Sequence, residues 1–206
     1  MKNTTRVFAV AAVAATLLLA AAFLMKGAVR AEIQQAPEIG SVMPDFTLKD
    51  CKGNEHTLSK HKGNLIVLDF SSIECPYSRG VDPSLNALSE TYSKQGVLFF
   101  GIDSHATATP EQILAYAKEA KIPHPILKDV GNAYADAVGA KVTPEIYVLD
   151  KELKLVYHGA PDNRKGPDSE ATEHYLKDAL DALLKGEPIK VTTNRAWGCG
   201  IKRASR

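Results

Sequence analysis

The chain has 206 residues, of which 45% are hydrophobic and 24% charged, and its formal net charge is +1. This composition is typical of one ordinary globular domain with appendages. Beyond residue 31 the chain carries 21 basic and 24 acidic residues, a balance that argues against a nucleic-acid partner.

The first 31 residues differ from the rest. An uncharged apolar run covers residues 7–25, and Lys2 and Arg6 precede it. This pattern predicts an export signal or a membrane anchor. The 19-residue run is long for a signal peptide and near the length that spans a bilayer, so both alternatives stay open. Cleavage after Ala31 fits the first, and anchoring through the run fits the second. Either way we expect an exported, extracytoplasmic or periplasmic domain.

The remaining chain divides into a linker over residues 32–40, a domain over 41–186 and a tail over 187–206. Apolar periodicity and turn residues predict the elements of the domain. In chain order they are a hairpin at 46–58, a strand at 64–72, a helix at 83–94, a strand at 96–103, a helix at 109–121, a short strand at 124–129, a short helix at 132–140, a strand pair at 145–149 and 153–158, and a helix at 169–186. This order predicts an α/β fold, with a mixed sheet covered by helices on both faces.

Two of the helices carry end signals. Thr109 is the predicted N-cap of the helix at 109–121, with Pro110 at its first position and Gln112 at the capping-box position. Ser169 is the predicted cap of the last helix, and Gly186 follows its end.

Cys75 lies just after the strand at 64–72, whose continuous apolar run predicts burial on both faces. The helix that follows is expected to begin at or soon after Pro76. In open α/β sheets, sites form at the carboxyl ends of strands, and a helix N-terminus stabilises a thiolate. The neighbouring Glu74 would work against the thiolate if its side chain were close. Cys75 is therefore a candidate nucleophile, and an inert buried thiol is the alternative.

The chain has three cysteines, and the other two are Cys51 and Cys199. An odd number permits one intramolecular disulfide at most, and the sequence leaves the pairing open. Their wide spacing excludes a compact zinc knuckle. The six histidines are scattered without metal-ligand spacing, and no Gly-rich phosphate loop is present. We therefore expect neither a cofactor nor a metal.

Two segments resemble a known family. "VMPDFTLKDCKGNEHTLSKHKGNLIVLDFSSIECPYS" and "VTPEIYVLDKELKLVYHGA" resemble the thioredoxin-fold redoxins of the alkyl hydroperoxide reductase and thiol-specific antioxidant group. The resemblance covers residues 41–186. It is nearest to a peroxiredoxin-like branch that keeps only the first thioredoxin cysteine and ends in Gly-Cys-x-Ile-Lys, as in "GCGIK" at 198–202. It implies a thioredoxin-like mixed sheet with an N-terminal hairpin extension.

The resemblance also implies roles for individual residues. Cys75 matches the nucleophilic first cysteine of the thioredoxin motif. Asp69 matches the buried acid that handles protons for the second cysteine. Thr143 and Pro144 match the threonine and cis-proline that face the site and present their backbone to an extended partner chain.

The sequence departs from the family at one decisive position, because Ser78 replaces the second thioredoxin cysteine. An alcohol cannot resolve a mixed disulfide. The peroxiredoxin pattern Pro-x-x-x-Thr-x-x-Cys is also incomplete around Cys75. Cys199 can supply the missing thiol, since the preceding tail is long enough to cross a small domain and Trp197 can anchor it. A surface thiol or an intermolecular pair is the alternative for Cys199, and Cys51 is taken as incidental.

Three functions remain. The favoured one is an exported thiol–disulfide oxidoreductase in which Cys75 attacks and Cys199 or an external thiol resolves. The second is a thiol peroxidase, in which Cys75 is oxidised to sulfenic acid and condenses with Cys199. The third is a non-catalytic binding module. The expected partners are protein thiols and disulfides, a small thiol reductant or a peroxide.

Overall fold

The computed structural model describes residues 35–205. The predicted export segment lies outside the described residues, as does the start of the linker. Between residues 35 and 205, no helix combines the length and the apolar character needed to cross a bilayer.

A seven-stranded mixed sheet forms the centre of the fold, in the order β2-β1-β5-β4-β3-β7-β8. The strands β3, β4 and β5 are parallel, and every other neighbouring pair is antiparallel. A separate two-stranded sheet pairs β6 with β9. The strands are β1 (Thr47–Asp50), β2 (Glu55–Thr57), β3 (Leu65–Ser71), β4 (Val97–Asp103), β5 (Ile126–Lys128), β6 (Val142–Thr143), β7 (Glu145–Leu149), β8 (Leu155–Gly159) and β9 (Cys199–Gly200).

Within residues 35–205, four α-helices accompany this sheet, and two short 3₁₀ turns lie at Leu58–His61 and Val130–Asn132. The helices are α1 (Pro76–Ser93), α2 (Pro110–Glu119), α3 (Ala133–Ala137) and α4 (Tyr175–Lys185). One apolar cluster joins α1 and α4 to the sheet, and another joins α3 to the opposite face. The chain therefore has the predicted α/β thioredoxin-like fold, with helices on both faces.

The strand β3 is the centre of the core. Its first six residues are all buried, and apart from Asp69 their side chains belong alternately to the two apolar clusters. A strand buried on both faces explains the continuous apolar run in the sequence. Because β3 is paired on both sides, its carboxyl end has a fixed position, and Cys75 follows directly from it.

The observed helices differ from the predicted ones in their bounds. Apolar periodicity indicates α1 only from residue 83, but the helix begins at Pro76, the start expected from its place after Cys75, so Pro83 lies inside it. The short helix predicted over residues 132–140 is confined to α3, and Asn132 before it is in the left-handed region. The capping box of α2 is confirmed, since Thr109 Oγ1 accepts from Gln112 N and Gln112 Oε1 accepts from Thr109 N.

The predicted Ser169 cap is wrong, because α4 begins at Tyr175. Ser169 Oγ instead accepts hydrogen bonds from the backbone of Lys165 and Gly166. A side chain that closes a local turn in this way competes with helix formation. The predicted end is confirmed, since Gly186 is the left-handed C-cap of α4.

Candidate active site

Cys75 is the N-cap of the 18-residue helix α1, and Pro76 is the first helical residue. Its backbone is extended, and its carbonyl oxygen accepts the first helical hydrogen bond from Arg79 N, at 3.1 Å. The residue is completely buried. The sulfur therefore lies at the positive end of the helix dipole, which favours a thiolate there.

The residues Thr143 and Pro144 face Cys75 from the other side of the site. Their peptide bond is cis, as the sequence predicts. The Cys75 thiol donates a hydrogen bond to the carbonyl oxygen of Thr143, with 3.0 Å between the sulfur and the oxygen. Thr143 Oγ1 is also buried and lies within reach of the Cys75 sulfur. The carbonyl oxygen and the hydroxyl group of Thr143 are therefore both positioned to interact with the Cys75 sulfur.

The tail returns to this place and brings Cys199 with it. In the antiparallel pair of β6 and β9, Thr143 lies opposite Cys199 and Val142 lies opposite Gly200. Since Cys75 bonds the carbonyl oxygen of Thr143 and Cys199 lies opposite Thr143, the two cysteines lie side by side, near enough for each to shift the pKa of the other. Both cysteines are free thiols. The structure therefore brings the two predicted redox cysteines together.

Several donors converge on the Cys75 sulfur. Burial by itself raises the pKa of the Cys75 thiol. Hydrogen bonds from the Cys199 thiol, from Thr143 and from the backbone N–H groups of Ser78 and Cys199 outweigh that effect. The pKa of Cys75 is therefore below that of an ordinary cysteine, as a nucleophilic thiol requires.

The partner thiol behaves in the opposite way. Burial, the hydrogen bond to Cys75 and the negative charge of the Cys75 thiolate raise the pKa of Cys199 to about 11. The backbone N–H of Tyr77 and the charge of Lys202 act against this rise. Cys75 is therefore the more acidic thiol of the pair, and Cys199 holds its proton more tightly.

The approach of the tail depends on Gly198 and Trp197. A Cβ atom at Gly198 would overlap the carbonyl oxygen of Thr143, and the backbone φ angle of 135° disfavours any other residue. Trp197 Nε1 donates to Asp162 O at 2.9 Å, and its ring packs on Tyr77 with 5.6 Å between the ring centroids. The expectation that Trp197 anchors the tail is confirmed.

Further anchors hold the chain after Cys199. Arg203 Nε donates to Asp136 at 2.8 Å, and its guanidinium also donates to Ala140 O at 2.8 Å. Lys202 Nζ lies 2.6 Å from Glu74 Oε2, which also accepts a hydrogen bond from Thr107. Glu74 is thus engaged with the tail, and its lowered pKa reflects first the Lys202 bond and then the Thr107 bond.

Asp69 lies beneath the site in β3, fully buried, and one of its carboxylate oxygens has no hydrogen-bond partner. Burial raises its pKa well above the usual range, and the charges of Asp82 and Cys75 add to the rise. Ser78 is also buried, and its hydroxyl accepts from the backbone N–H of Ser72 at 3.3 Å. Burial therefore favours the protonated form of Asp69 near Cys75. The Ser78 hydroxyl makes a local backbone contact.

Glu145 was not singled out from the sequence. Its carboxylate accepts hydrogen bonds from the backbone N–H groups of Lys141 and Val142, at 2.8 and 3.1 Å, and pairs with His158 Nε2 at 2.7 Å. Burial would raise its pKa, but the His158 pairing and the two backbone donors lower it. Glu145 thereby holds the loop that carries Thr143. The sequence signal that could have pointed to Glu145 is its position directly after Pro144.

The remaining cysteine lies elsewhere. Cys51 is in the hairpin turn and packs against the cluster of Ala108, Ile113 and Ile126. Burial and the nearby charges of Asp103 and Asp50 raise its pKa to about 11. Within residues 35–205, no three His, Cys, Asp or Glu side chains are grouped as a metal ion would require.

Comparison with known proteins fits this geometry. The model of the AhpC/TSA family matches residues 39–158, more than half of the chain. The chain belongs to the AhpC/TSA family. It is 30% identical to the thiol-disulfide oxidoreductase ResA of Geobacillus kaustophilus (strain HTA426) over 127 residues, which cover 60% of this chain and 71% of that protein.

A second relative is named as a peroxiredoxin and not as a thiol-disulfide oxidoreductase. The chain is 34% identical to the chloroplastic peroxiredoxin Q of Triticum aestivum over 126 residues, 57% of each chain. Among solved structures, a hypothetical protein of Sinorhizobium meliloti 1021 has a TM-score of 0.78 and 30% identity, covering 83% of this chain and 97% of that one. These relatives support a redox activity and are compatible with both thiol exchange and peroxide chemistry.

Proposed function

We propose that the protein is an exported thiol–disulfide oxidoreductase with Cys75 as the nucleophile and Cys199 as the resolving thiol. The observation that carries the proposal is the pairing of Thr143 with Cys199, which brings Cys199 beside Cys75, whose thiol bonds the carbonyl oxygen of Thr143. The apolar run at residues 7–25 supports export, and the named activity of ResA supports the reaction class.

In the first step, the Cys75 thiolate attacks one sulfur of a substrate disulfide. A bond forms between Cys75 and that sulfur, the substrate disulfide breaks, and the second substrate sulfur leaves as a thiolate that takes up a proton. The helix terminus and the hydrogen bonds from Ser78 and Cys199 stabilise the attacking thiolate. Thr143 Oγ1 can donate to the same sulfur.

In the second step, Cys199 attacks the sulfur of Cys75 and releases the first substrate sulfur as a thiolate. The substrate disulfide has then been reduced by two electrons, and the cysteine pair has been oxidised to the Cys75–Cys199 disulfide. The negative charge on Cys75 is absent from the mixed disulfide, so one cause of the raised pKa of Cys199 disappears. The N–H of Tyr77 and the charge of Lys202 remain to stabilise the Cys199 thiolate. An external dithiol or two thiols then reduce the disulfide.

Asp69 is the proposed proton store for these steps. Burial raises its pKa and so favours the protonated acid, and Cys75 lies within the range of its charge. It can therefore supply a proton as a thiolate leaves near Cys75, in place of its family role toward a second cysteine, which is Ser78 here.

A peroxidase is the second candidate, because peroxiredoxin Q is a relative and Cys199 already lies beside Cys75. A hydroperoxide would oxidise the Cys75 thiolate to sulfenic acid with release of water or an alcohol. Cys199 would then displace water to form the same disulfide. The two functions share their second half and differ in the oxidant.

The test compares both oxidants on the reduced chain without its export segment. We expect wild type to consume a disulfide substrate in multiple turnovers with dithiothreitol as reductant. In a single turnover without reductant, Cys199→Ser should accumulate a mixed disulfide on Cys75, identified by mass spectrometry. In the turnover assay, Cys51→Ser should match wild type. Rapid consumption of hydrogen peroxide with slow disulfide exchange would favour the peroxidase. Retention of full turnover by Cys75→Ser would overturn both.

A further inference from the structure

The strand β9 covers the edge at which a partner chain would have to bind. Cys199 and Gly200 pair with Thr143 and Val142, and Cys199 thereby lies beside Cys75, which is completely buried. A backbone that pairs with an exposed strand edge is the usual way in which an extended peptide is held. In this protein the chain's own tail makes those hydrogen bonds.

We propose that β9 is an intramolecular competitor which makes Cys75 discriminate against disulfides in extended polypeptides and favour small disulfides. The inference rests on the proposed function, since it concerns the substrate class of the same thiol. It identifies the tail, and Gly198 in particular, as the element that determines specificity.

The two substrate classes need different degrees of opening. A small disulfide needs only a path to one sulfur, which the half-buried side chain of Cys199 can provide by rotating. A polypeptide needs the strand edge of Val142 and Thr143, so Gly198, Cys199 and Gly200 must all leave. A tethered strand competes at an effective concentration in the millimolar range, far above that of most protein substrates.

The downstream anchors make the competition persistent. Ile201 N donates to Lys141 O at 3.0 Å, and Ala106 N donates to Lys202 O at 3.0 Å. Arg203 adds its bonds to Asp136 and Ala140. A polypeptide that displaces β9 must therefore also strain or break these contacts of residues 201–203. Rotation of the Cys199 side chain leaves them intact.

Gly198 and Gly200 provide a matched pair of variants. A side chain at Gly198 meets Thr143 O and requires an unfavourable φ angle, so Gly198→Val should push β9 off β6. Nothing lies within 4 Å of a Cβ at Gly200, so Gly200→Ala should leave the strand in place. The chain contains one tryptophan, so the fluorescence of Trp197 reports directly whether the tail is docked.

The experiment uses a Cys51→Ser, Cys199→Ser background, in which Cys75 is the only thiol and only the first step occurs. Each variant is reacted under single-turnover conditions with hydroxyethyl disulfide and with a disulfide-linked peptide of about ten residues. The Cys75 thiolate forms a disulfide with one half of the reagent, and the other half leaves as a thiol. The ratio of the peptide rate to the small-disulfide rate is the readout, because a change in the thiolate fraction of Cys75 cancels in it.

We expect Gly198→Val to raise this ratio about tenfold or more, and Gly200→Ala to leave it within about twofold of the background. An unchanged ratio in a Gly198→Val protein whose Trp197 emission shows a released tail would overturn the proposal. If Gly198→Val does not fold, Arg203→Ala releases the tail from the far side, and the same two outcomes apply. Failure of Cys75 to react with either disulfide in every variant would instead overturn the proposed function, and this inference with it.

Discussion

The two halves of the candidate site are built in different ways. Cys75 is positioned by the core, at the end of a strand that is paired on both sides and at the start of an 18-residue helix. Cys199 is positioned by a two-residue strand and by side-chain anchors such as Trp197 and Arg203. Moving Cys75 would require breaking the sheet, whereas moving Cys199 requires breaking only a few contacts. The scaffold half is therefore fixed, and the tail half can open locally.

The largest expected effect comes from removing the scaffold thiol. Cys75→Ser should lower the rate of disulfide exchange by roughly a thousandfold or more, because an alcohol does not replace the thiolate nucleophile. Cys51→Ser is the control and should stay within about twofold of wild type, since Cys51 packs in a separate cluster. Steady-state assays on both purified variants check this. A Cys51→Ser variant as impaired as Cys75→Ser would break the assignment of the scaffold half.

Removing the tail thiol should change the acidity of Cys75. The Cys199 thiol donates to the Cys75 sulfur and helps to lower its pKa, so Cys199→Ala should raise that pKa. Because the thiolate fraction then falls at a given pH, the midpoint of the alkylation rate against pH should move to higher pH. Rates are normalised to the plateau at high pH, so that easier access of the alkylating reagent to Cys75 in the variant does not affect the midpoint. An unmoved midpoint, with Cys51→Ala as reference, would show that the tail does not tune Cys75.

The scaffold half also contains a buried acid, Asp69, which lowers the stability of the folded protein at neutral pH. Burial raises the pKa of Asp69, so the folded protein retains a proton that the unfolded chain releases above its usual carboxyl pKa of 3.8. Wild-type stability therefore falls as the pH rises from that value toward the folded pKa. Asn does not titrate, so Asp69→Asn should gain stability relative to wild type, by about 1 kcal/mol or more between pH 4 and pH 8.

Urea titrations at several pH values measure this gain. Asp168→Asn is the control for the loss of an exposed carboxylate. A gain for Asp69→Asn that shrinks as the pH rises would contradict the raised pKa of Asp69.

The smallest expected effects separate two anchors of the tail. Arg203 is three-quarters buried at its side chain and bonds both Asp136 and Ala140, so Arg203→Ala should lower the free energy of unfolding by about 1–2 kcal/mol. The Lys202 side chain is 56% exposed, so loss of its ion pair with Glu74 should cost less than about 0.5 kcal/mol. Equal losses in urea titrations of Arg203→Ala and Lys202→Ala would contradict this ranking.

The scaffold half could be predicted from the sequence because each of its signals is local or strongly patterned. The apolar run of β3 fixes burial, and Pro76 marks the start of α1. Thr109, Pro110 and Gln112 form the expected capping box. The motif around Thr143 and Pro144 then places the opposite wall of the site.

The tail half could be predicted only in part. The need for a second thiol pointed to Cys199, but the strand β9 has two residues, too few for any periodicity to appear. Its position depends on contacts far along the chain, such as Gly198 against Thr143 and Arg203 against Asp136. At Ser169 a local signal misleads. Serine is a common helix cap, but here its hydroxyl closes a local turn instead.

The most direct test of the central claim is the map of the disulfide formed on mild oxidation of the reduced, full domain. Wild-type protein treated with a small disulfide should stay monomeric and yield one disulfide-linked peptide pair, containing Cys75 and Cys199. Cys51 should remain alkylatable after denaturation. Oxidised protein that contains only intermolecular species, or peptides joined through Cys51, would contradict the assignment of Cys199 as the resolving thiol.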